Sequence, residues 1–296
     1  MKCGFVSIVG RPNVGKSTLL NSILGMKLAI TSNVMGTTRN VIQGIYNDDD
    51  SQIVFVDTPG IHKATNKLGN LMNKKAYNNT EGVDVVLFLV DAAAGIGKGD
   101  LYILERIKNK GVPIFLLLNK VDDIKNKEKL LCDIDKLKDL YDFEEIIPIS
   151  AKEKDNLDVL LKCIKNKLDE SEAIFSEDEL TNVSTRFIMA EFVREKVLEL
   201  TRDEIPHSVT CYVEYFEEKE NVIHIQVLVV VDRDHIKKII IGKNGSMLKE
   251  IGIRARRDME KFLGKKVYLE TFVKTLKNWQ DEEKYFLELG FKEEDE

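Results

Sequence analysis

The feature that most constrains this chain is a glycine-rich loop near its start, Gly10-Arg11-Pro12-Asn13-Val14-Gly15-Lys16-Ser17. The loop follows the apolar run Phe5 to Val9 and precedes a helix-forming stretch that starts at Thr18. A strand that leads through such a loop into a helix is the usual context of a phosphate-binding loop. Two glycines let successive backbone N–H groups point at phosphate oxygens, with the positive helix end behind them. The pattern therefore predicts an α/β domain that binds a nucleoside triphosphate.

The side chains of this loop have predicted roles at the phosphates. Lys16 would reach the β- and γ-phosphate oxygens, and the Ser17 hydroxyl would ligate the magnesium ion that bridges them. The alternative is a chance glycine turn that only caps a helix, and the flanking strand and helix argue against it. The residues predicted to contact the phosphates, here and in a later segment, are Gly10, Arg11, Pro12, Asn13, Val14, Gly15, Lys16, Ser17, Thr18, Asp57, Thr58, Pro59 and Gly60.

Two further loops indicate that the base is guanine. The predicted strand Ile114 to Leu118 leads into a loop in which the Asp122 carboxylate would accept hydrogen bonds from the N1–H and 2-amino groups of guanine. Adenine has neither donor in that arrangement, so it would leave a buried carboxylate unpaired. Asn119 would tie this loop to the phosphate loop, and after a second short strand the Ala151 N–H would donate to guanine O6. The predicted guanine-binding residues are Asn119, Lys120, Asp122, Ser150, Ala151 and Lys152, with an ordinary turn and a helix cap as the alternative.

Two segments are predicted to contact the γ-phosphate. The strand Ile53 to Val56 ends in Asp57-Thr58-Pro59-Gly60, where Asp57 would hold the metal through water and the Gly60 N–H would face the phosphate. Upstream, a polar stretch is predicted to form the first nucleotide-sensitive switch, and it contains Gly36, Thr37, Thr38, Arg39 and Asn40. Thr38 is the predicted metal ligand and Thr37 its rival, although two β-branched residues entering a strand would also suit a purely structural role. The predicted magnesium ligands are therefore Ser17, Thr38 and Asp57.

The motifs resemble those of the translation-factor-related small GTPases, with one departure from the Ras pattern. Ile61 stands where Ras-like proteins carry the glutamine that orients the attacking water. Isoleucine has no polar group, so we predict slow intrinsic turnover and another means of placing the water. His62 is interpreted as a solvated switch residue rather than a base. Asn13 has two interpretations, a hydrogen bond within its own loop or a ligand of the potassium ion that several similar GTPases use there.

The composition allows two domains and hides a local excess of positive charge. The chain has 296 residues, of which 43% are hydrophobic, enough for a nucleotide domain and a smaller second one. The net charge is −6, yet residues 233–277 contain 13 Lys and Arg against 5 Asp and Glu. Such a basic region indicates a surface directed at phosphate or anionic lipid. The apolar runs are strand-sized and the first residues enter a strand at once, so we expect no transmembrane helix, no signal peptide and a cytoplasmic location.

The second half of the chain has a different pattern, in the order α-β-β-α-α-β. A helix is predicted over Arg186 to Thr201, strands over Ser208 to Phe216 and Val222 to Val231, and a long basic helix over Ser246 to Leu263. Ile-Ile-Gly-Lys-Asn-Gly between two helices resembles the Gly-x-x-Gly loop of a type II KH domain, in which glycines bring backbone against a nucleic-acid backbone. A glycine turn within a helical hairpin is the alternative. The predicted RNA-binding residues are Ile241, Gly242, Lys243, Asn244, Gly245, Lys249, Arg254 and Arg257.

A GTPase domain followed by a type II KH domain resembles the Era family over essentially the whole chain. We predict a GTP-binding domain over 1–170, an acidic linker over 171–183, and a KH domain with a C-terminal helix over 184–296. The resemblance implies a magnesium-dependent GTPase that binds the 3′ end of 16S ribosomal RNA and acts in assembly of the small (30S) ribosomal subunit. It further implies partial peripheral association at the inner membrane face, and we expect a monomer. Two alternatives stay open: a GTP-sensing RNA-binding module with incidental hydrolysis, or a membrane-surface GTPase that uses the basic region.

Overall fold

Strands and helices alternate in the first part of the chain and build a mostly parallel sheet. The computed structural model describes residues 1–32, 34, 36–61, 66–124, 134–135, 137–201 and 205–291. Seven strands form this sheet: β1 (Lys2–Gly10), β2 (Ile42–Asn47), β3 (Ser51–Asp57), β4 (Val85–Asp91), β5 (Ile114–Asn119), β6 (Glu145–Pro148) and β7 (Asp169–Glu170). Six of them lie in the order β2-β3-β1-β4-β5-β6, and β7 pairs with β1. β2 and β7 are antiparallel to their partners, and all other pairs are parallel.

The parallel strands place the predicted motifs at one edge of the sheet. β3, β1, β4, β5 and β6 are neighbours in parallel register, so their carboxyl ends lie side by side. The loops after β1, β3, β5 and β6 carry the phosphate, Asp-Thr-Pro-Gly, Asn-Lys-x-Asp and Ser-Ala-Lys motifs. Ligands of open α/β sheets bind at this edge because helix N-termini and loops meet there.

Apolar residues on both faces of the sheet explain why the strands read as continuous hydrophobic runs. The central strands are buried along almost their entire length, as parallel strands covered by helices should be. The helices of this part that lie wholly within the described residues are α1 (Lys16–Leu24), α2 (Lys67–Asn78), α3 (Lys98–Ile107) and α4 (Leu157–Lys165). α4 ends at Lys165, and residues 169–170 turn back to pair with β1.

The second part of the chain has the predicted α-β-β-α-α-β order. Its elements are α5 (Thr185–Leu200), β8 (Val209–Glu218), β9 (Val222–Val231), α6 (Asp234–Ile241), α7 (Ser246–Leu263), β10 (Lys266–Thr275) and a short α8 (Lys284–Glu288). The sheet order is β10-β9-β8, with β10 parallel and β8 antiparallel to β9. β8 runs two residues beyond the predicted end at Phe216. A register shift between Val213 and Tyr215 lets Glu217 and Glu218 continue the ladder.

α5 is buried around its whole circumference, including four charged residues. Every residue from Ile188 to Leu198 is buried. Arg194 donates to Glu191 through Nε at 2.6 Å and through Nη2 at 2.5 Å, and it also hydrogen-bonds the Thr37 carbonyl. The burial of these charges is tolerable because each has an opposite partner at hydrogen-bonding distance.

The described residues divide into two units. One contains the described residues of 1–29, 38–61 and 71–182, and the other those of 30–37, 66–70 and 183–291. In the predicted linker, Ile174 and Phe175 N–H groups donate to the Gln52 side chain, and the Leu180 carbonyl accepts from Ile45. The domain limits given above from sequence stay a prediction. No helix among the described residues is long and apolar enough to span a bilayer.

Candidate functional site

The phosphate-loop backbone has the conformation that an anion site needs. α1 begins at Lys16, directly after Gly15, which has φ 102°. A side chain at Gly15 would be strained, and its Cβ would collide with the Asn119 side-chain nitrogen. The loop therefore requires glycine here on two independent grounds. Its backbone N–H groups lead into the positive end of a helix, the arrangement that binds phosphate.

Lys16 is buried over this loop and held by neutral groups. Its ammonium donates to the Gly10 carbonyl at 3.2 Å and to the Arg11 carbonyl at 3.0 Å. Burial lowers the pKa of Lys16 to about 8, although the nearby Asp57 carboxylate opposes the shift. A desolvated ammonium with only carbonyl partners is suited to a phosphate oxygen, whose negative charge would stabilise its protonated form.

The three predicted metal ligands converge. The Ser17 Oγ donates to Asp57 Oδ2 at 2.7 Å and lies 2.8 Å from Thr38 Oγ1. Asp57 is fully buried, and its Oδ1 atom has no hydrogen-bond partner among the described residues. Burial raises the pKa of Asp57 to about 6, against the influence of Lys16 and Ser17. The rival ligand Thr37 instead donates its hydroxyl to the Val34 carbonyl at 2.6 Å, so the geometry favours Thr38.

Gly60 and Ile61, which follow β3, lie in different surroundings: Gly60 contacts the phosphate loop, and Ile61 packs in the core. Gly60 lies against the phosphate loop, where an added Cβ would come within 2.8 Å of Pro12 Cα and N. Ile61 is only 3% exposed and belongs to an apolar cluster that includes Val9 and Phe88. The Ile61 side chain is therefore part of the core and cannot orient water. His62, interpreted from sequence as a solvated switch residue, lies outside the described residues.

The base-recognition loops are connected to one another and to the phosphate loop. The Asn119 amide donates to the Val14 carbonyl at 2.7 Å, which is the link that the sequence predicts. The Ser150 hydroxyl donates to Asp122 Oδ1 at 2.6 Å, so one hydrogen bond already fixes the predicted guanine-reading carboxylate. The Ala151 N–H, predicted to donate to guanine O6, donates to Asn119 Oδ1 at 2.9 Å. Lys152, also predicted at the base, has an exposed side chain 3.2 Å from Glu153.

The remaining switch residues lie on both sides of Thr38. Gly36 has φ 77°, and Arg39 is buried with a 7% exposed fraction.

Asn13, the candidate potassium ligand, is exposed and has φ 65°. A left-handed asparagine in a loop that must curl around an anion is common, because its short polar side chain tolerates this region.

The Gly-x-x-Gly loop joins α6 and α7 through a left-handed turn. Gly242 has φ 72° and Gly245 has φ 77°, and the Asn244 between them has φ 51°. A Cβ at Gly242 would lie 2.8 Å from Met247 Cβ, so this glycine is required by space as well as by conformation. Lys243 and Asn244 are exposed at the tip, whereas Ile241 is half-buried.

Three of the predicted RNA-binding side chains lie along α7. Lys249, Arg254 and Arg257 are exposed, and Arg254 forms an ion pair with Glu250 at 2.7 Å. Buried Ile251, Ala255 and Met259 define the opposite face of this helix. Segregation of basic and apolar residues leaves a positively charged helix surface that continues from the glycine loop.

Comparison with known proteins identifies the family. Residues 5–120 match the family described as 50S ribosome-binding GTPase, and residues 204–280 match the KH domain family. Two crystal structures are similar over nearly the whole chain: a variant of Aquifex aeolicus Era bound to GDP.AlF4−, and Era in complex with MgGDPNP and nucleotides 1506–1542 of 16S ribosomal RNA. In each comparison the TM-score is 0.96 and the identity 41%, covering 98% of this chain and 99% of the other. The chain belongs to the Era family. The predicted fold class and GTPase activity are confirmed.

In this Era-family chain, the GTP site is supported by two carboxylates that the sequence motifs do not predict. Asp91, the last residue of β4, accepts from the Lys120 ammonium at 2.7 Å and from two backbone N–H groups. Burial would raise the pKa of Asp91, but the hydrogen bonds from Lys120 and the backbone outweigh it and lower the pKa. Its position after the apolar run Val85 to Val90, at the same sheet edge, is a signal that could have found it.

The second of these carboxylates is Asp100, which binds Arg11, a residue that the sequence predicts at the phosphates. The Arg11 guanidinium donates from Nε to Asp100 Oδ1 at 2.7 Å and from Nη2 to the Gly95 carbonyl at 3.4 Å. The side chain of Arg11 is thus engaged by α3 and the turn before it, so only its backbone remains available for the predicted phosphate contact. No local sequence pattern connects two residues that stand 89 positions apart.

Proposed function

We propose that this Era-family GTPase binds the 3′ end of 16S ribosomal RNA and uses GTP hydrolysis to reset itself during assembly of the small ribosomal subunit. The observation that carries the proposal is the similarity, over 98% of the chain, to an Era complex that holds nucleotides 1506–1542 of that RNA. The exposed glycine loop and the basic surface of α7 support the same partner. Glycines allow the loop to lie against the RNA backbone, while unstacked bases enter an adjacent apolar groove.

The proposed GTP site is formed by the four loops that follow β1, β3, β5 and β6. Lys16 binds the β- and γ-phosphates, the backbone of residues 10–17 surrounds them, and Gly60 N–H faces the γ-phosphate. Asp122 recognises guanine by accepting hydrogen bonds from the N1–H and 2-amino groups of the base, and Ser150 holds Asp122 in position. Asn119 keeps the base loop and the phosphate loop at a fixed separation through Val14. Because Ile61 lies in the core, water for the attack is placed by backbone groups, by another side chain or by a bound partner.

The donor set fits a divalent cation. Ser17, Thr38 and Asp57 supply oxygen ligands of the kind that Mg²⁺ prefers, and the buried Asp57 Oδ1 lacks a hydrogen-bond partner within the described chain. The similar Era complex contains MgGDPNP. In this chain Ser17 and Thr38 would ligate Mg²⁺ and Asp57 would hold it through water. The ion would offset the charge on the β- and γ-phosphates.

The test of the RNA-linked switch is GTP turnover with and without an oligonucleotide of the 16S 3′ end. We expect slow turnover alone and at least about a tenfold acceleration with the RNA, of the kind that partners give other GTPases. Lys16→Ala should abolish turnover in both conditions and serves as the control for contaminating activity. Turnover that ignores the RNA, while the RNA still binds in a GTP-dependent way, would favour the alternative of a GTP-sensing RNA-binding module.

We also infer that Asn13 helps to hold a monovalent cation beside the α- and γ-phosphates. Isoleucine at position 61 leaves the charge that develops on the β–γ bridge without a polar partner from that position, and a potassium ion would supply one. Asn13 is exposed at the loop, where its side-chain oxygen can reach such an ion. Carbonyl oxygens are expected to complete the shell.

The salt comparison tests this cation directly. GTP turnover in potassium should exceed turnover in sodium at equal ionic strength, because the smaller sodium ion does not suit a carbonyl cage sized for potassium. The difference should vanish in Asn13→Ala. Equal rates in the two salts contradict the proposal and leave an RNA or protein activator as the source of acceleration.

A further inference from the structure

A fully buried carboxylate outside the GTP motifs, that of Asp100, holds the phosphate loop through an ion pair with Arg11. Asp100 has a side-chain exposure of 0%, and its Oδ1 accepts from Arg11 Nε at 2.7 Å. Its other oxygen, Oδ2, accepts from the Gly97 N–H at 2.9 Å at the start of α3. The ion pair is therefore rigid at the Asp100 end. Gly99 is part of the same fit, because a Cβ there would lie 2.7 Å from Arg11 Cδ.

Two separate anchors hold the phosphate loop at different points. Asn119 binds the Val14 carbonyl at 2.7 Å, next to the part of the loop that leads into α1. Asp100 binds the Arg11 side chain, at the part of the loop that leaves β1. Between these anchors stand Pro12 and Asn13. Loss of one anchor should therefore disturb one part of the loop and leave the other in place.

The Asp100 anchor controls the part that faces the γ-phosphate. The Arg11 carbonyl accepts from the Lys16 ammonium at 3.0 Å, and Lys16 is the residue that reaches the β- and γ-phosphates. Pro12 lies so close to Gly60 that a single added carbon would not fit between them. A shift of Arg11 would move both the Lys16 support and the Pro12–Gly60 contact. The guanine-reading loop would not move, because it is tied to Val14.

We propose that Asp100 is a positioning residue for GTP hydrolysis, which acts through Arg11 on Pro12 and Lys16. The inference rests on the proposed role of this loop as the GTP site. It separates two supports of the same loop: Asn119 holds the part that leads into α1, and Asp100 holds the part that contacts Gly60 and so faces the γ-phosphate. The competing explanation is that Asp100 only caps α3 through Gly97.

The experiment compares Arg11→Met, Asp100→Asn and the double variant in the full-length protein. Positioning predicts that each single change lowers kcat by about 10- to 100-fold, the effect of misplacing reacting groups by up to 1 Å. The GDP dissociation constant should change by no more than about threefold, because the Lys16–Gly10 and Asn119–Val14 hydrogen bonds do not involve the altered residues. The double variant should be no slower than the slower single variant, since both changes break the same contact.

The control is Asp48→Asn, which removes a carboxylate of similar kind in the same unit. Asp48 pairs with Lys165 at 2.6 Å and accepts from the Ser51 backbone at 2.9 Å, at the turn between β2 and β3. This variant should lose thermal stability without a change in kcat. All rates are measured at least 10 °C below the lowest midpoint of unfolding, and Arg11→Lys replaces Arg11→Met if the latter does not fold.

The outcomes separate this inference from the proposed function. If Arg11→Met leaves kcat unchanged and Asp100→Asn only lowers the midpoint of unfolding, Asp100 is a helix cap and the inference is overturned. An equal loss of GDP and GTP affinity in the variants also overturns it, because the loop then behaves as one rigid piece. If the unmodified protein neither binds nor hydrolyses GTP, the proposed function itself fails, and no Asp100 variant is needed to show it.

Discussion

At the scale of single residues, several side chains of the GTP site are held in place by a neighbouring side chain. Ser150 fixes Asp122, Asp91 fixes Lys120, and Asn119 fixes the phosphate loop. None of these neighbours needs to contact the nucleotide to matter, since a group 1 Å out of place loses much of its effect. Specificity for guanine, in contrast, depends on the chemical type of Asp122 itself.

Asp122→Asn should therefore exchange the preferred base. The amide presents a donor where the carboxylate presents an acceptor, so we expect GTP affinity to fall by at least about 100-fold and xanthosine triphosphate to become the better ligand. Competition titration with the two nucleotides measures the change. Ser150→Ala is the matched control, because it loosens Asp122 without altering its hydrogen-bonding pattern and should weaken GTP without favouring xanthosine. Unchanged guanine selectivity in Asp122→Asn would contradict the assignment.

At the scale of elements, α5 is a case in which tertiary packing overrides the pattern of the local sequence. The glycine at the end of α6 is a case in which local geometry fixes the residue type. α5 buries Glu191, Arg194, Glu195 and Lys196, which a sequence pattern would leave on the solvent face. Lys196 is 2.9 Å from Glu195, 3.0 Å from Glu199 and 3.0 Å from Asp258, so its charge is matched inside the second unit. Gly242 is the opposite case, in which the backbone conformation and the close approach of Met247 dictate the residue.

Gly242→Asp should abolish RNA binding, since it adds both bulk beside Met247 and negative charge at the RNA backbone. The matched control is Gly264→Asp at the other end of α7. Gly264 has φ 66° and open space around it, so the control also places aspartate at a positive φ and adds the same charge about 27 Å away. Fluorescence titration with a 16S 3′-end oligonucleotide should show tight binding by Gly264→Asp and none by Gly242→Asp. Normal binding by both variants would contradict the assignment of the loop.

At the scale of the whole molecule, the distribution of charge matters more than its sum. The chain carries a net charge of −6, although residues 233–277 hold 13 Lys and Arg against 5 Asp and Glu. The acidic remainder disfavours non-specific attachment to polyanions, and the basic region concentrates attraction at one surface of the second unit. Affinity for RNA should then depend on salt in proportion to the number of phosphates in contact.

Lys243→Ala tests that expectation because Lys243 is exposed at the tip of the glycine loop. We expect a modest loss of affinity and a reduction of about 0.7 in the slope of log K against log salt concentration, the value for one lost phosphate contact on a single strand. Lys152→Ala is the control, since Lys152 is exposed in the GTP-binding unit. It should leave the salt dependence of RNA binding unchanged. An identical slope for Lys243→Ala and the unmodified protein would remove Lys243 from the interface.

The sequence by itself determined the chemistry of the GTP site, its base and the order of elements in the second unit. Phosphate and base motifs are short segments whose residues define their own backbone geometry, so Gly15, Lys16 and Asp122 are readable without any knowledge of distant contacts. The sequence also predicts Thr38 as the metal ligand but leaves Thr37 as a rival, because spacing along a polar segment does not show which of two adjacent residues turns inward. The convergence on Ser17 favours Thr38 only in three dimensions.

Only the tertiary structure decided which residues hold those motifs in place. Asp100 reaches Arg11 across 89 positions, and Asp91 reaches Lys120 across 29. The Ala151 N–H was expected at guanine and is bound to Asn119, which stands 32 positions earlier. These partners have no local signal, because a hydrogen bond between distant segments depends on how strands are ordered in the sheet rather than on spacing along the chain. The sequence therefore specifies what the site can bind, and the strand order of the parallel sheet specifies which residues hold the site in position.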